Sequence, residues 1–398
     1  MKEKISVLIT TSLYHSINDG AISVIPILFP IFKDLFNLTY TQIGIISGGG
    51  LLITLFAQLM IGRKADGKNS KTLLSTGIVM MGASLLLLTQ SVDFLSLLFF
   101  IFLIRLSASF FHPIGVGWVS RTFKKDKLDW AMGIQSGFGD VGAFIALSTT
   151  LLISNLTSWQ VPLYIWAIMA VGGILIGTFI SRNLDGSITS VQHKNKKQTI
   201  REEIDDAYLL LKNIKILIPA FVISGAAWGT TITYLPLLLQ EKTILSLPLI
   251  GLLVAFWIGI GSIVSFFYGK ISKYLGRKNA LIFSYVTIGI MDVAIAFTDS
   301  VNIFIFILIL LGISIFLSYP ALFSFVSEIT KENVEGKNFG VIFILQLGGG
   351  TVLLMTGGAL SDAIGVWMPF ILLGGFSSLF SLILLIFYKK PFVKNIST

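Results

Sequence analysis

The chain has 398 residues, of which 54 % are apolar and 12 % charged, against about 25 % charged in an average soluble domain. This excludes a water-soluble globular protein, because almost every long segment is apolar on all sides and no aqueous core could bury it. The absence of cysteine excludes disulfides and thiolate metal sites, and a net charge of +9 is accounted for by basic loops beside anionic lipid, with no nucleic acid partner.

With about 20 apolar residues needed per membrane crossing, the pattern predicts helices at 6–32, 39–62, 72–91, 95–119, 130–153 and 159–181. Six more are predicted at 214–240, 247–269, 279–298, 302–326, 338–360 and 366–388. The first is expected to remain a span and not to be a cleaved signal peptide, since its apolar stretch is too long and no small-residue cleavage pattern follows it. Basic residues gather on alternate loops: Arg63, Lys64, Lys68 and Lys71, then Arg121, Lys124, Lys125 and Lys127, then Lys270, Lys273, Arg277 and Lys278. The opposite loops hold only Lys33 and Lys242, which places both termini on the cytoplasmic side of a cell membrane. Between the two groups of six, the hydrophilic segment 182–213 reads as a linker; Ile200, Ile204, Ala207, Tyr208 and Leu211 recur in it at helical spacing, which predicts a short helix on the inner leaflet.

The two groups repeat one another. A shift of 207 residues carries Pro113 onto Pro320 and Pro162 onto Pro369, and five glycines coincide: Gly44 with Gly251, Gly62 with Gly269, Gly82 with Gly289, Gly133 with Gly340 and Gly142 with Gly349. Among ten prolines, chance gives about 0.1 such coincidences at one chosen shift. Each repeat holds six helices, so the copies have the same orientation. The expected organisation is an all-α membrane protein of twelve helices, with halves at 1–181 and 214–398 joined by 182–213. It resembles the major facilitator superfamily, whose parallel repeats place the substrate site between the halves near the bilayer midplane.

The loop after the second span strengthens the resemblance: Gly62, Asp66 and Lys71 follow that superfamily's pattern, with Asn69 where a second Gly is usual. The second repeat has Gly269, Gly276, Arg277 and Lys278, with Lys273 in place of the acid. Two further segments resemble the fosmidomycin-resistance-type efflux family. They are Tyr14 to Phe32, with His15, Asn18, Asp19 and Pro30, continued to Gly44, and Ser107 to Pro113, with Arg121 at the end of the same helix. Where that family carries an acid after the His-Pro pair, this chain has Ile114. The resemblance implies export of drugs or metabolites.

Ionisable groups at membrane depth are costly and face a partner or an aqueous cavity. Here they are His15, Asp19, Arg105, His112, Asp140 and Asp292, five of them in the first half. His15, Asp19 and Asp140 are the expected proton-coupling groups, with His15 and Asp19 on one face by their four-residue spacing. Arg105 and His112, seven apart with Ser109 between, are expected to share a stripe and, with Asn18, to bind substrate; an Asp19–Arg105 ion pair is also expected. Trp228, Thr231, Tyr234, Tyr319 and Gln346 are the substrate-facing candidates of the second half, and Asp292 reads as lateral packing at least as readily as a transport group. The Gly48–Gly50, Gly137–Gly142 and Gly348–Gly350 runs suit close packing and sliding alike. Under the repeat shift Asp66 falls on Lys273 and Arg121 on Glu328, so both positions reverse sign together. This predicts two salt bridges, Asp66 to Arg121 and Lys273 to Glu328, forming with Gly62 a cytoplasmic gate.

There is no phosphate-cradling loop and no His cluster with metal spacing, so no enzyme, cofactor or metal site is expected. The function read here is a monomeric prokaryotic secondary transporter that exports a small polar or anionic compound in exchange for protons. An uptake carrier for an organic acid or sugar, and a non-transporting membrane receptor, remain open.

Overall fold

A computed structural model of the chain describes residues 2–65, 68–123, 125–187, 200–329 and 335–389. The first predicted span is two helices, α1 (Lys2–Ile27) and α2 (Phe29–Leu35), bent by 45°. Pro30 explains the break, because it has no N–H to donate to the carbonyl four residues earlier. Next come α3 (Tyr40–Lys64), α4 (Ser70–Leu88) and α5 (Phe94–Ala108). Thr39 and Gln42 form a capping box that starts α3. Asp93 starts α5 by accepting from Ser96, whose hydroxyl and amide hold the Asp93 carboxyl below its usual range.

The fourth predicted span is interrupted. After α5 the chain passes through a π-helical turn, His112–Val116, before α6 (Gly117–Thr122). Pro113 lies in that turn and removes one donor from the ladder. Then follow α7 (Lys125–Leu156), α8 (Gln160–Ser181) and the linker helix α9 (Ile200–Asn213). The second set is α10 (Ile218–Lys242), α11 (Leu247–Leu275), α12 (Arg277–Ala296), α13 (Val301–Ile329), α14 (Glu335–Ala363) and α15 (Met368–Ile386). Among the described residues, eleven helices are long and apolar enough to cross a membrane, and twelve with the bent α1–α2 pair counted as one. On α9, Leu210 packs into the core while Ile204 and Tyr208 stand exposed, as suits a helix lying on lipid.

The repeat read from the sequence recurs in the packing. Gly142 of α7 lies against the Ser16 carbonyl of α1, and its counterpart Gly349 of α14 lies against the Val222 carbonyl of α10. Between the two sets of spans, α3 meets α14 and α7 meets α11. Hydrogen bonds join the sets at the end away from the termini. Asp362 accepts from the amides of Tyr40 and Thr41 at 2.7 and 2.8 Å and from the Thr41 hydroxyl, Gln240 donates to Asp34 at 3.2 Å, and Thr351 donates to the Gly48 carbonyl at 3.2 Å. Nearer the basic end, a side chain at Gly133, Gly137 or Gly340 would meet no atom of the described residues within 4 Å.

Candidate functional site

Four of the first half's five membrane-depth ionisable residues, all but Arg105, gather midway along α1. His15 and Asp19 share a face as their spacing predicts, with His15 Nε2 3.1 Å from Asp19 Oδ2. Asn18 donates to the other carboxylate oxygen at 2.9 Å. His15 Nδ1 bonds the Gln135 carbonyl of α7 at 2.8 Å. A carbonyl only accepts, so Nδ1 carries that hydrogen. Nε2 therefore faces Asp19 through a second proton or through a bare lone pair, and the contact is favourable only around a positive charge.

Close approach of α7 makes this possible: a β-carbon at Gly139 would lie 2.8 Å from His15 Nε2 and 2.9 Å from Asp19 Oδ2. Asp140, the next residue, is half-buried, within electrostatic range of the pair and facing Ser262 of α11. From the other side the start of the π-helical turn and the residue before it supply two rings. Phe111 stacks on His15 with centroids 4.4 Å apart, and His112 meets it edge-on at 5.4 Å. His15 is buried, Asp19 half-buried and His112 exposed, so the group opens outward through His112.

Three expectations are corrected. Asp19 and Arg105 form no ion pair: Asp19 turns to His15 and α7, while Arg105 lies along α3, where its Nε would be 3.1 Å from a β-carbon at Gly50. Arg105 Nε is buried without a hydrogen-bond partner among the described residues. Nor do Arg105 and His112 continue one stripe, because α5 ends between them, where the Ser109 and Phe110 amides bond carbonyls only three residues back: Arg105 addresses α3 and His112 addresses His15. Finally, a three-residue group with metal-ligand spacing does exist. His15, Asp19 and His112 hold ligand atoms within 4.8 Å of one another, an arrangement made by packing between distant segments and invisible as a local motif.

In the second half, Tyr319 donates to the Ser224 carbonyl at 3.0 Å and Gln346 to the Ser224 hydroxyl at 3.1 Å, which ties α13 and α14 to α10. Trp228 is half-buried beside Trp257, centroids 6.5 Å apart. Thr231 is buried and bonds the Ala227 carbonyl, and Tyr234 donates to the Leu354 carbonyl at 2.6 Å, so both hydroxyls are engaged in packing. Asp292 is fully buried, and no described group answers either carboxylate oxygen.

At the basic end, Gly62 faces Pro113 across 3.7 Å, measured from where its β-carbon would be. Arg121 donates to Ser70 at 3.0 Å, and Lys71 bonds the carbonyls of Ser181 and Leu184. Asp66 lies outside the described residues, as does the side chain of Glu328; Lys273 is exposed. A groove of about 620 Å³ runs between α4 and α8, lined by Lys71, Ser75, Thr178 and Arg182 among others, but it holds none of the membrane-depth acids or imidazoles. The Asp362 latch on α3 went unread in the sequence; the free amides that open every helix were its one signal.

The family model described as Major Facilitator Superfamily matches residues 11–353 and 217–397. The chain belongs to the major facilitator superfamily. It is therefore a membrane transporter and not an enzyme. Among relatives of this superfamily, an uncharacterized MFS-type transporter, YfnC, of Bacillus subtilis (strain 168) is 22 % identical over 368 residues, covering 90 % of this chain and 87 % of that one. Solved structures of similar fold include a bacterial homologue of the human lysosomal transporter Spinster, inward-facing and occupied, with a TM-score of 0.79, 13 % identity and full coverage of both chains. The nucleoside transporter NupG gives a TM-score of 0.75 at 16 % identity over 98 % of this chain and 100 % of its own. A POT family transporter in complex with 5-aminolevulinic acid gives 0.76 at 14 % over 96 % of each.

Proposed function

We propose that this superfamily member exports a small polar or anionic compound in exchange for protons, close in kind to the fosmidomycin-resistance-type efflux proteins. The observation that carries the reading is the His15–Asp19 pair at membrane depth, which closes favourably only around a positive charge. Asp140 beside it completes the coupling group, and a passive facilitator would need none of the three. Arg105, with an unanswered donor, and the exposed ring of His112 serve as the anion-facing side, together with Asn18. Trp228, Tyr319 and Gln346 supply the aromatic and neutral polar wall opposite, with Thr231 and Tyr234 behind them. Two rigid units, 1–181 and 214–398, rock about this site on the linker 182–213, and the protein works as a monomer. The basic loops and the Bacillus relative support a prokaryotic cell membrane with both termini inside. On that orientation the latched end is outside and the arrangement described here is inward-open.

The test is substrate-induced proton movement in proteoliposomes of known orientation, using a panel of small anions and drugs. Protons entering as substrate leaves are expected. Co-movement in the same direction would replace export with uptake, and no substrate-linked proton movement for any transported compound would overturn coupling.

A further inference from the structure

We propose that His15, Asp19 and His112 bind a divalent first-row transition-metal cation, reached through the exposed ring of His112. This stands on geometry alone and concerns the same side chains as the coupling site, so either reading can fail without the other.

Donor chemistry comes first. Two imidazoles and one carboxylate suit Zn²⁺, Co²⁺ or Ni²⁺ and do not suit Mg²⁺ or Ca²⁺, which require sets of oxygen ligands. Three protein ligands leave a fourth position free, the pattern of zinc sites that exchange what they hold. Among the described residues this is the one group of three or more His, Cys, Asp or Glu donors close enough to hold an ion.

The spacing agrees. Ligands about 2.0–2.2 Å from a tetrahedral zinc stand about 3.3 Å from one another, and His15 Nε2 lies 3.1 Å from Asp19 Oδ2. The third donor is within 4.8 Å. His112 is exposed, and no hydrogen bond among the described residues holds its ring, so a side-chain rotation closes the remaining gap.

The surrounding bonds are those a metal site needs. A ligating histidine gives its other ring N–H to a carbonyl or carboxylate, which fixes the tautomer and aims the lone pair. His15 Nδ1 does this to the Gln135 carbonyl, and Phe111 stacked on the ring sets its plane. Asp19 is oriented in the same way by Asn18 on its second oxygen. These bonds aim Nε2 and Oδ2 at one shared point, and Gly139 keeps that point clear of a side chain. A proton and a metal ion are then mutually exclusive occupants.

The experiment titrates the purified full-length protein in detergent with Co²⁺ alone and then adds Zn²⁺. One Co²⁺ per chain is expected, with the intense visible absorption of a four-coordinate ion, displaced by Zn²⁺ and indifferent to excess Mg²⁺. His112→Ala, a change at an exposed ring that leaves the fold intact, should abolish that spectrum. Asn18→Ala should weaken binding by about 10–100-fold, as loss of an orienting partner does. The pale absorption of six-coordinate Co²⁺, or equal affinity in wild type and His112→Ala, would overturn the site and mean an adventitious ion only. Monodisperse elution of each variant shows that a lost spectrum is not lost folding.

Discussion

The carbonyl oxygen of Leu354 lies where a side chain on Gly44 would begin, 2.5 Å from the position of its β-carbon. The repeat supplies the mirror contact: the Leu147 carbonyl lies 2.9 Å from the same place on Gly251. Leu147 and Leu354 are themselves 207 residues apart, so these contacts are one contact made twice, where each set of spans leans on the other. Either Gly44→Ala or Gly251→Ala should wedge the latched end apart at a cost of about 1–3 kcal/mol. That bias corresponds to about 5–150-fold in the balance between the two openings. Labelling of a cysteine introduced on the latched side should rise in both variants; no rise would mean that the halves do not part there.

For Asp19, the neutral isostere separates coupling from carriage. Asp19→Asn should abolish proton-driven transport in vesicles while exchange of substrate without a gradient survives. Driven transport at the wild-type rate would remove Asp19 from coupling.

Arg105 offers a planar fork to a carboxylate, phosphate or phosphonate, and a lysine cannot reproduce it. Arg105→Lys should therefore lower substrate affinity by about tenfold or more, as the loss of one charged hydrogen bond worth about 1.5–3 kcal/mol implies. Unchanged affinity would leave Arg105 as a brace against Gly50 of α3.

The sign reversal between repeats is tested by a swap. Asp66→Arg should impair transport, and Arg121→Asp in the same chain should restore it. Arg121 already reaches the start of α4, where it donates to Ser70. A surface pair of this kind is worth at most about 1 kcal/mol, so stability should scarcely move. A double variant no better than the single would refute the pairing.

At the latch, Asp362→Ala removes the acceptor for three donors of Tyr40 and Thr41. The closed state should lose about 1–3 kcal/mol, read as greater accessibility at the latched end. Asp362→Asn keeps one acceptor oxygen and should be intermediate.

The spans, the repeat and the His15–Asp19 face were legible because they rest on periodicity, which sequence displays directly. What depends on tertiary contact was not. Arg105 and His112 are seven apart, a helical stripe on paper, but the chain tightens at Ser109 and Phe110, just ahead of the π-helical turn at Pro113, and the two go to different neighbours. His112 reaches His15 only through packing of that turn on α1. Asp362 reads as a loop charge, since its partners are 321 and 322 residues away. The break before Phe29 leaves no trace in hydropathy, because proline is no obstacle to an apolar run.

The latch also fixes what each side of the membrane can measure. A site facing the latched side exists only in the fraction of molecules in which Asp362 has let go, and the apparent dissociation constant on that side is the intrinsic one divided by this fraction. One binding site then has two affinities, strong where the helices part and weak beyond the latch. The difference comes from occupancy of conformations, with no change in any residue that touches the solute. Solute delivered to the latched side would be slow to rebind, although the final concentration ratio is still set by the driving gradient alone.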